Sequence, residues 1–152
     1  MAERTARAIV NDLIENCRDA VRGFQHAAEL VTNPSLKEIL TELADARSAM
    51  VSQLEPYAQR LGGNAASTGT AAAAVHRRWM DVKSALTNHD DQAVMREVWR
   101  GDGMSLRLLA DAQNEMLPAS VRDIIEQQDI RVRADHLRIE RAMNGTRAQT
   151  LV

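Results

Sequence analysis

The stretch AAELVTNPSLKEIL, residues 27–40, marks the point where one long helical pattern stops and another starts. Asn33 is a favoured N-cap residue, and Pro34 suits the first position of a helix, where a backbone N–H would lack an intrahelical partner anyway. A turn this short makes the helices on either side antiparallel neighbours. The stretch therefore predicts a helical hairpin.

On both sides of this turn, apolar residues recur at intervals of three and four, which is the spacing of the buried face of a bundle helix. We predict helix A over 5–32 and helix B over 34–61, with Gly62-Gly63 ending helix B. The buried face of helix A comprises Val10, Leu13, Cys17, Ala20, Phe24, Ala27 and Val31. That of helix B comprises Leu36, Leu40, Leu43, Arg47, Met50, Leu54, Tyr57 and Leu61.

The second half of the chain repeats this organisation after a long connection. We predict a helix over 71–87 inside the connection, helix C over 90–116, helix D over 119–144, and a frayed tail at 146–152. No strand pattern competes, so the 152 residues are expected to form a single all-α domain, 1–152. The connection is long enough to return along the bundle. We therefore expect the ferritin-like up-down-down-up four-helix topology, with an additional helix in the B–C crossover.

The composition argues against two classes of partner. The net charge is −2 and acidic residues are interspersed among the basic ones, so we expect no nucleic-acid partner. No stretch approaches the ~20 apolar residues that span a bilayer, and the first residues lack the apolar core of a signal peptide. We therefore expect a cytoplasmic protein without a membrane partner. The single cysteine, Cys17, is expected to be a buried thiol on helix A.

Six stretches carry a family resemblance: VNDLIENCRDAVRGFQHAAELVTNPSLKEIL, QRLGG, HRRWMDVKSALTNHDDQAVM, RGDG, LPASVRDIIEQQ and HLRI. Together they span about residues 10–143. They resemble an uncharacterised bacterial family of four-helix-bundle proteins, a domain of unknown function classed with the ferritin-like superfamily. That family tends to have an acidic pair after Arg-Gly, whereas this chain has Arg100-Gly101-Asp102-Gly103 and keeps one acidic residue. The resemblance implies the bundle fold and a stress-related setting, but no reaction.

The residues of a di-iron centre are missing from the sequence. Such a bundle takes a Glu from each of two helices and a Glu-x-x-His motif from each of the other two. No Glu-x-x-His occurs in this chain, so we expect neither an enzyme nor a resident cofactor. As an alternative, His26 and Glu29 lie one turn apart on helix A and would bind a divalent metal ion together with His136 of helix D.

Arg47 is the one charged residue on the buried face of helix B. An unpaired buried charge costs several kcal/mol, so an inward arginine requires a partner. Counting residues from the shared end of the bundle brings Asp102 of helix C and Gln128 of helix D near its level. We predict a buried, structural polar layer in which Arg47 pairs with Asp102 and Gln128 assists. The alternative is that Arg47 binds an anionic ligand inside the bundle.

Apolar residues outside these buried faces predict a packing surface made of Trp79, Met95, Trp99 and Leu106. Either the crossover helix or a second subunit would cover it. We expect a homo-oligomer, with a dimer favoured. We also consider binding to an unknown protein partner. Two functions follow. One is a non-catalytic, self-associating scaffold or interaction module. The other is a degenerate ferritin-like protein that binds a divalent metal ion or a small anionic ligand in or beside the bundle.

Overall fold

The computed structural model describes residues 5–63, 73, 76, 77, 79, 80 and 90–150, with side chains described as far as Gly145. Every regular element in these ranges is an α-helix, and none of them contains a strand. The chain is therefore an all-α helical bundle. No helix in the described ranges is both long enough and apolar enough to cross a membrane.

Four long helices make up the bundle: α1 Ala6–Leu30, α2 Pro34–Arg60, α3 Asp91–Gln113 and α4 Ala119–Thr150. Their bounds lie within a few residues of those predicted for helices A to D, except at the C-terminal end of α4. Within the predicted crossover helix at 71–87, residues 73, 76, 77, 79 and 80 are described and have helical backbone. The rest of that segment lies outside the described residues.

Side-chain caps fix where three of the helices begin. Thr5, Asn33 and Asp90 accept hydrogen bonds from backbone N–H groups in the first turns of α1, α2 and α3. Each cap satisfies a donor that a helix start leaves unpaired and is typically worth ~1 kcal/mol. Pro34 occupies the first position of α2, so the start predicted from the TNPS turn is confirmed.

Glycine ends α2 but does not end α4. Gly62 and Gly63 have φ angles of 110° and 81°, and Gly63 N donates to Ala58 O at 2.8 Å. Glycine adopts this left-handed backbone without the clash that a Cβ would cause. The predicted end at Asn144-Gly145 is wrong, because α4 continues to Thr150 through part of the tail predicted to fray. A helical glycine costs only ~1 kcal/mol relative to alanine, which does not stop a helix.

Contacts between helices fix their directions. Helix α1 packs against α2 and α3, and α4 packs against α3 and α2. Thr32 donates from its backbone N and its hydroxyl to the carboxylate of Asp91, at 2.8 and 3.0 Å. Near the middle, the Ser105 hydroxyl donates to Asn16 Oδ1 at 3.0 Å. The end of α1 therefore lies beside the start of α3, and these two helices run in opposite directions, as α1 and α2 do.

The core is mainly aliphatic and extends along all four helices. Every residue predicted for the buried face of helix A is buried, which at ~25 cal/mol per Å² of apolar surface is the main stabilising contribution of that helix. Buried polar residues interrupt this core near mid-bundle, among them Asn16, Arg47, Asp102 and Ser105. Buried polar groups need hydrogen-bond partners, so these residues define the region where a site is sought.

Candidate functional site

Arg47 lies inside the bundle because it occupies the apolar stripe of α2, between Leu43 and Met50. Its side chain is fully buried, and its Nη2 donates to Asp102 Oδ1 of α3 at 2.6 Å. Asp102 is also fully buried. The structure therefore brings together the two charged residues that the sequence placed at the same level.

His136 of α4 contacts the other oxygen of the same carboxylate. Its Nδ1 lies 2.9 Å from Asp102 Oδ2, and its side chain is mostly buried. Gly103 lies beside the ring, where an added Cβ would be 3.7 Å from His136 Cε1, an ordinary van der Waals contact. Arg47, Asp102 and His136 join α2, α3 and α4 across the interior, and we call these three residues the Arg47 layer.

The charges in this layer affect each other's protonation. Burial acts to lower the pKa of Arg47, but the attraction of Asp102, with smaller contributions from Cys17 and Asp135, raises that pKa above its usual value. The guanidinium is therefore a permanent cation. Burial also raises the pKa of the Cys17 thiol to about 11, against an opposing effect of Arg47. Cys17 thus stays protonated at neutral pH and is a poor nucleophile.

Much of the hydrogen-bonding capacity of Arg47 is unused. A guanidinium has five N–H donors, yet Nε and Nη1 of Arg47 have no acceptor among the described residues. The Cζ atom lies 5.3 Å from the centroid of the Phe24 ring, which supplies a cation–π contact instead. An unsatisfied buried donor costs about 1–3 kcal/mol, so these two groups offset part of the stabilisation that the ion pair gives.

Gln128 is buried but does not belong to the Arg47 layer. Its Nε2 donates to Met50 O at 3.2 Å and to Gln53 Oε1 at 3.5 Å, and no hydrogen bond joins it to Arg47 in the described part of the chain. The prediction that Gln128 assists the ion pair is wrong. The reason is register, since Gln128 faces α2 about one turn beyond Arg47, whereas the position on α4 that reaches Asp102 is His136.

Trp79 fills a second buried region, between α1 and α3. A Cβ built on Gly23 would lie 2.4 Å from Trp79 Cε3, and one on Gly101 would lie 3.1 Å from it. The indole Nε1 donates to Ser105 Oγ at 3.1 Å, and the Phe24 ring packs edge-on at 5.4 Å. We call this arrangement the Trp79 contact. Gly23 and Gly101 leave space for the ring, and the Ser105 hydroxyl accepts the hydrogen bond from the indole N–H.

The residues predicted for a packing surface are divided between the interior and the surface. Trp79 and Met95 are buried within the chain, so they are not free to form a subunit interface. The sequence left two explanations for Trp79, packing of the crossover within the chain or a subunit interface. The structure supports packing within the chain. Trp99 and Leu106 are half-buried. Trp99 stacks on His136 with ring centroids 5.3 Å apart, and its buried Nε1 has no acceptor within the described ranges.

The alternative metal ligands do not come together. His26 Nδ1 lies 4.0 Å from Glu29 Oε2, and Glu29 is largely exposed. His136 contacts Asp102 instead. No group of three or more His, Cys, Asp or Glu side chains suited to a metal ion occurs in the described part of the chain. The structure therefore does not bring His26, Glu29 and His136 together, because His136 contacts Asp102 in the Arg47 layer.

Two partners in these regions escaped the sequence analysis. One is the pairing of His136 with Asp102, since the sequence suggested His136 only as an alternative metal ligand. The other is Ser105, whose hydroxyl links Trp79 to Asn16.

One family model matches the chain over residues 5–115, and its description is "Domain of unknown function (DUF2383)". Since the match covers most of the 152 residues, the chain belongs to this family. It includes Arg47 and Asp102 but ends before α4 and His136. A comparison with curated proteins finds no match.

Proposed function

We propose that this chain is a non-catalytic, ferritin-like helical bundle that acts as a self-associating interaction module, with a homodimer as its working unit. The cytoplasmic location, the bacterial setting and the link with stress rest on the hydropathy of the sequence and on the family resemblance.

The observation that carries the non-catalytic part is the buried ion pair between Arg47 and Asp102. In ferritin-like metal proteins, the site is built in the bundle core from inward carboxylates and histidines on facing helices. Here a permanent cation occupies the core and would repel a metal ion. Both carboxylate oxygens of Asp102 are already engaged, one by Arg47 and one by His136. These contacts favour an interior that braces the helices.

The direction of the helices supports the ferritin-like part of the proposal. Helices α1 and α3 run in opposite directions, as the contacts of Thr32 with Asp91 and of Asn16 with Ser105 indicate. Helices α1 and α2 are antiparallel across the turn at 31–33. Helices α2 and α3 therefore run in the same direction, as the two middle helices of an up-down-down-up bundle do.

Self-association is supported by apolar side chains that α4 leaves exposed. Ile130 and Leu137 are 70% and 50% exposed and lie two turns apart, on one face of the helix. The same helix also lines a groove of about 260 Å³ with α2, formed by Ala46, Ala49, Met50, Gln53, Gln127, Gln128 and Arg131. Exposed large apolar side chains on one helix face are typical of a protein-binding surface.

The oligomeric state of the full chain tests this part of the proposal. We expect light scattering on the eluted protein to give the mass of a dimer, and the paired substitutions Ile130→Lys and Leu137→Lys to shift it to a monomer. Met116→Lys is the matched control, because Met116 is 76% exposed but lies in the turn between α3 and α4. A monomeric wild type, or equal effects of both changes, would contradict the dimer.

Elemental analysis of protein purified without a histidine tag tests the non-catalytic part. We expect no transition metal in stoichiometric amount. One metal ion or more per chain, lost on substitution of Asp102 or His136, would overturn the proposal.

A second candidate, a small anion bound to Arg47 inside the bundle, is favoured by the two guanidinium nitrogens that lack an acceptor. If such an anion binds, added phosphate or chloride will raise the melting temperature of the wild type but not that of Arg47→Met. An equal response of both proteins would reject it.

A further inference from the structure

A groove along the outer side of α3 is distinct from the Arg47 layer and from the proposed dimer face. One cavity of about 370 Å³ is lined by Trp99, Arg100, Gly103, Met104 and Arg107. A second, of about 500 Å³, is lined by Gln92, Arg96, Trp99, Arg100, Met143 and Asn144. The two share Trp99 and Arg100, so they are adjacent, and we call them together the Trp99 groove.

The lining of the groove is basic in a chain whose net charge is −2. Among the described residues, Arg96, Arg100 and Arg107 line it and no acidic residue does. Arg100 forms an ion pair with Glu97 on the same helix, at 2.7 Å. Arg96 makes no hydrogen bond or ion pair within the described ranges, and the Nη1 of Arg107 is 4.0 Å from a thioether sulfur, a weak acceptor. Two guanidinium groups are therefore available to an anion.

Apolar groups form the rest of the lining. Trp99, Met104 and Met143 line the groove together with the arginines. The Trp99 ring is held in place by its stack on His136, whose Nδ1 contacts Asp102. Its Nε1–H has no acceptor in the described part of the chain. The groove thus combines a fixed aromatic wall with planar cationic donors that suit phosphate oxygens.

We infer that the Trp99 groove binds a small phosphate-bearing anion with a flat apolar group. The arginine guanidinium groups donate hydrogen bonds to the phosphate oxygens, and the apolar group packs against Trp99 and the methionines. Three arginines favour more than one negative charge on the ligand. A free nucleotide and the headgroup of a phospholipid share this chemistry.

Calorimetric titration of the full chain with pyrophosphate and with AMP tests the inference. We expect saturable binding of both, weakened about tenfold or more when Arg96, Arg100 and Arg107 are together replaced by Gln, because each contributes charge-assisted hydrogen bonds. A triple variant of Arg60, Arg133 and Arg138 to Gln loses the same charge elsewhere on the surface and should bind as the wild type does. Thermal melting of each variant checks that it folds.

Flotation with vesicles containing phosphatidic acid distinguishes the two sources of phosphate. AMP binding without flotation assigns the groove to a soluble ligand, and flotation that requires the three groove arginines assigns it to a headgroup. No saturable binding to any probe, or equal weakening in both triple variants, would overturn the inference. If the protein is monomeric but binds pyrophosphate through the groove arginines, the inferred binding site is retained and the proposed dimer is rejected.

Discussion

The Arg47 layer and the Trp79 contact lie side by side at mid-bundle, and they fill the interior in different ways. One places a cation, a carboxylate and an imidazole where three helices meet. The other places one indole ring in a gap left by two glycines. The first is governed by charge compensation and the second by shape. A substitution in each should therefore fail for a different physical reason.

Both regions depend on one stretch of α3, Gly101-Asp102-Gly103. Gly101 faces Trp79, Asp102 contacts Arg47 and His136, and Gly103 lies against the His136 ring. Successive residues of an α-helix point in directions ~100° apart, so three neighbours serve three different contacts.

The largest effect is expected from Asp102→Ala. It leaves the Arg47 cation buried without its counter-charge, which should lower the free energy of unfolding by about 3–5 kcal/mol. Urea denaturation of the wild type and variant measures the difference. The double variant Arg47→Met with Asp102→Leu should recover most of the loss, since an apolar pair needs no compensation. If Asp102→Ala is as stable as the wild type, the layer is not held by its charges.

Gly23→Ala tests the shape of the Trp79 contact. The added Cβ would lie 2.4 Å from an indole carbon, so the ring has to move and the free energy of unfolding should fall by about 2–3 kcal/mol. Gly145→Ala is the matched control on α4, where nothing lies within 4 Å of the new Cβ. It should stabilise the chain by up to about 1 kcal/mol, because alanine is the better helix former. Equal free energies of unfolding for the two variants would mean that the indole ring moves without loss of stability.

His136→Phe separates the imidazole's hydrogen bond from its packing. The ring can still stack on Trp99, but Asp102 Oδ2 loses its partner, so we expect a loss of about 2 kcal/mol by urea denaturation. His136→Gln, which keeps a donor, should lose less. If phenylalanine is tolerated as well as glutamine, the contact with Asp102 does not stabilise the layer.

Cys17 provides the smallest expected effect, through pH. Burial raises its pKa from 9.0 to about 11, so the native state keeps a proton that the unfolded chain releases above its lower pKa. Its contribution is fully present below pH 9 and declines as the pH rises through 9 to 11. Relative to Cys17→Ala, the wild type should lose about 1 kcal/mol by about pH 10. A constant difference between the two proteins over this range would contradict the shift.

The sequence predicted the helices because their signals are local. Capping residues such as Asn33 and the three-and-four spacing of apolar residues lie within one helix, and both correspond to features of the structure. Gly145 was misread because glycine ends a helix only where the backbone turns left-handed, as at Gly62 and Gly63. The identity of the residue does not decide that conformation.

Partners across helices were harder to predict. Counting residues from the shared end placed Arg47 and Asp102 at one level, since both helices start there and run in the same direction. It chose Gln128 rather than His136 on α4, which lies about two helical turns further along the helix. The distance that α4 slides along α3 is not visible in the order of its residues.

The order of apolar and capping residues by itself determined that this chain forms long helices and that Arg47 points inward, because helix periodicity is a property of neighbouring residues. Only the tertiary structure decided that His136 would meet Asp102 and that Trp79 would lie between Gly23 and Gly101. Those contacts depend on how far one helix slides along another, and that distance is set by packing of the whole bundle.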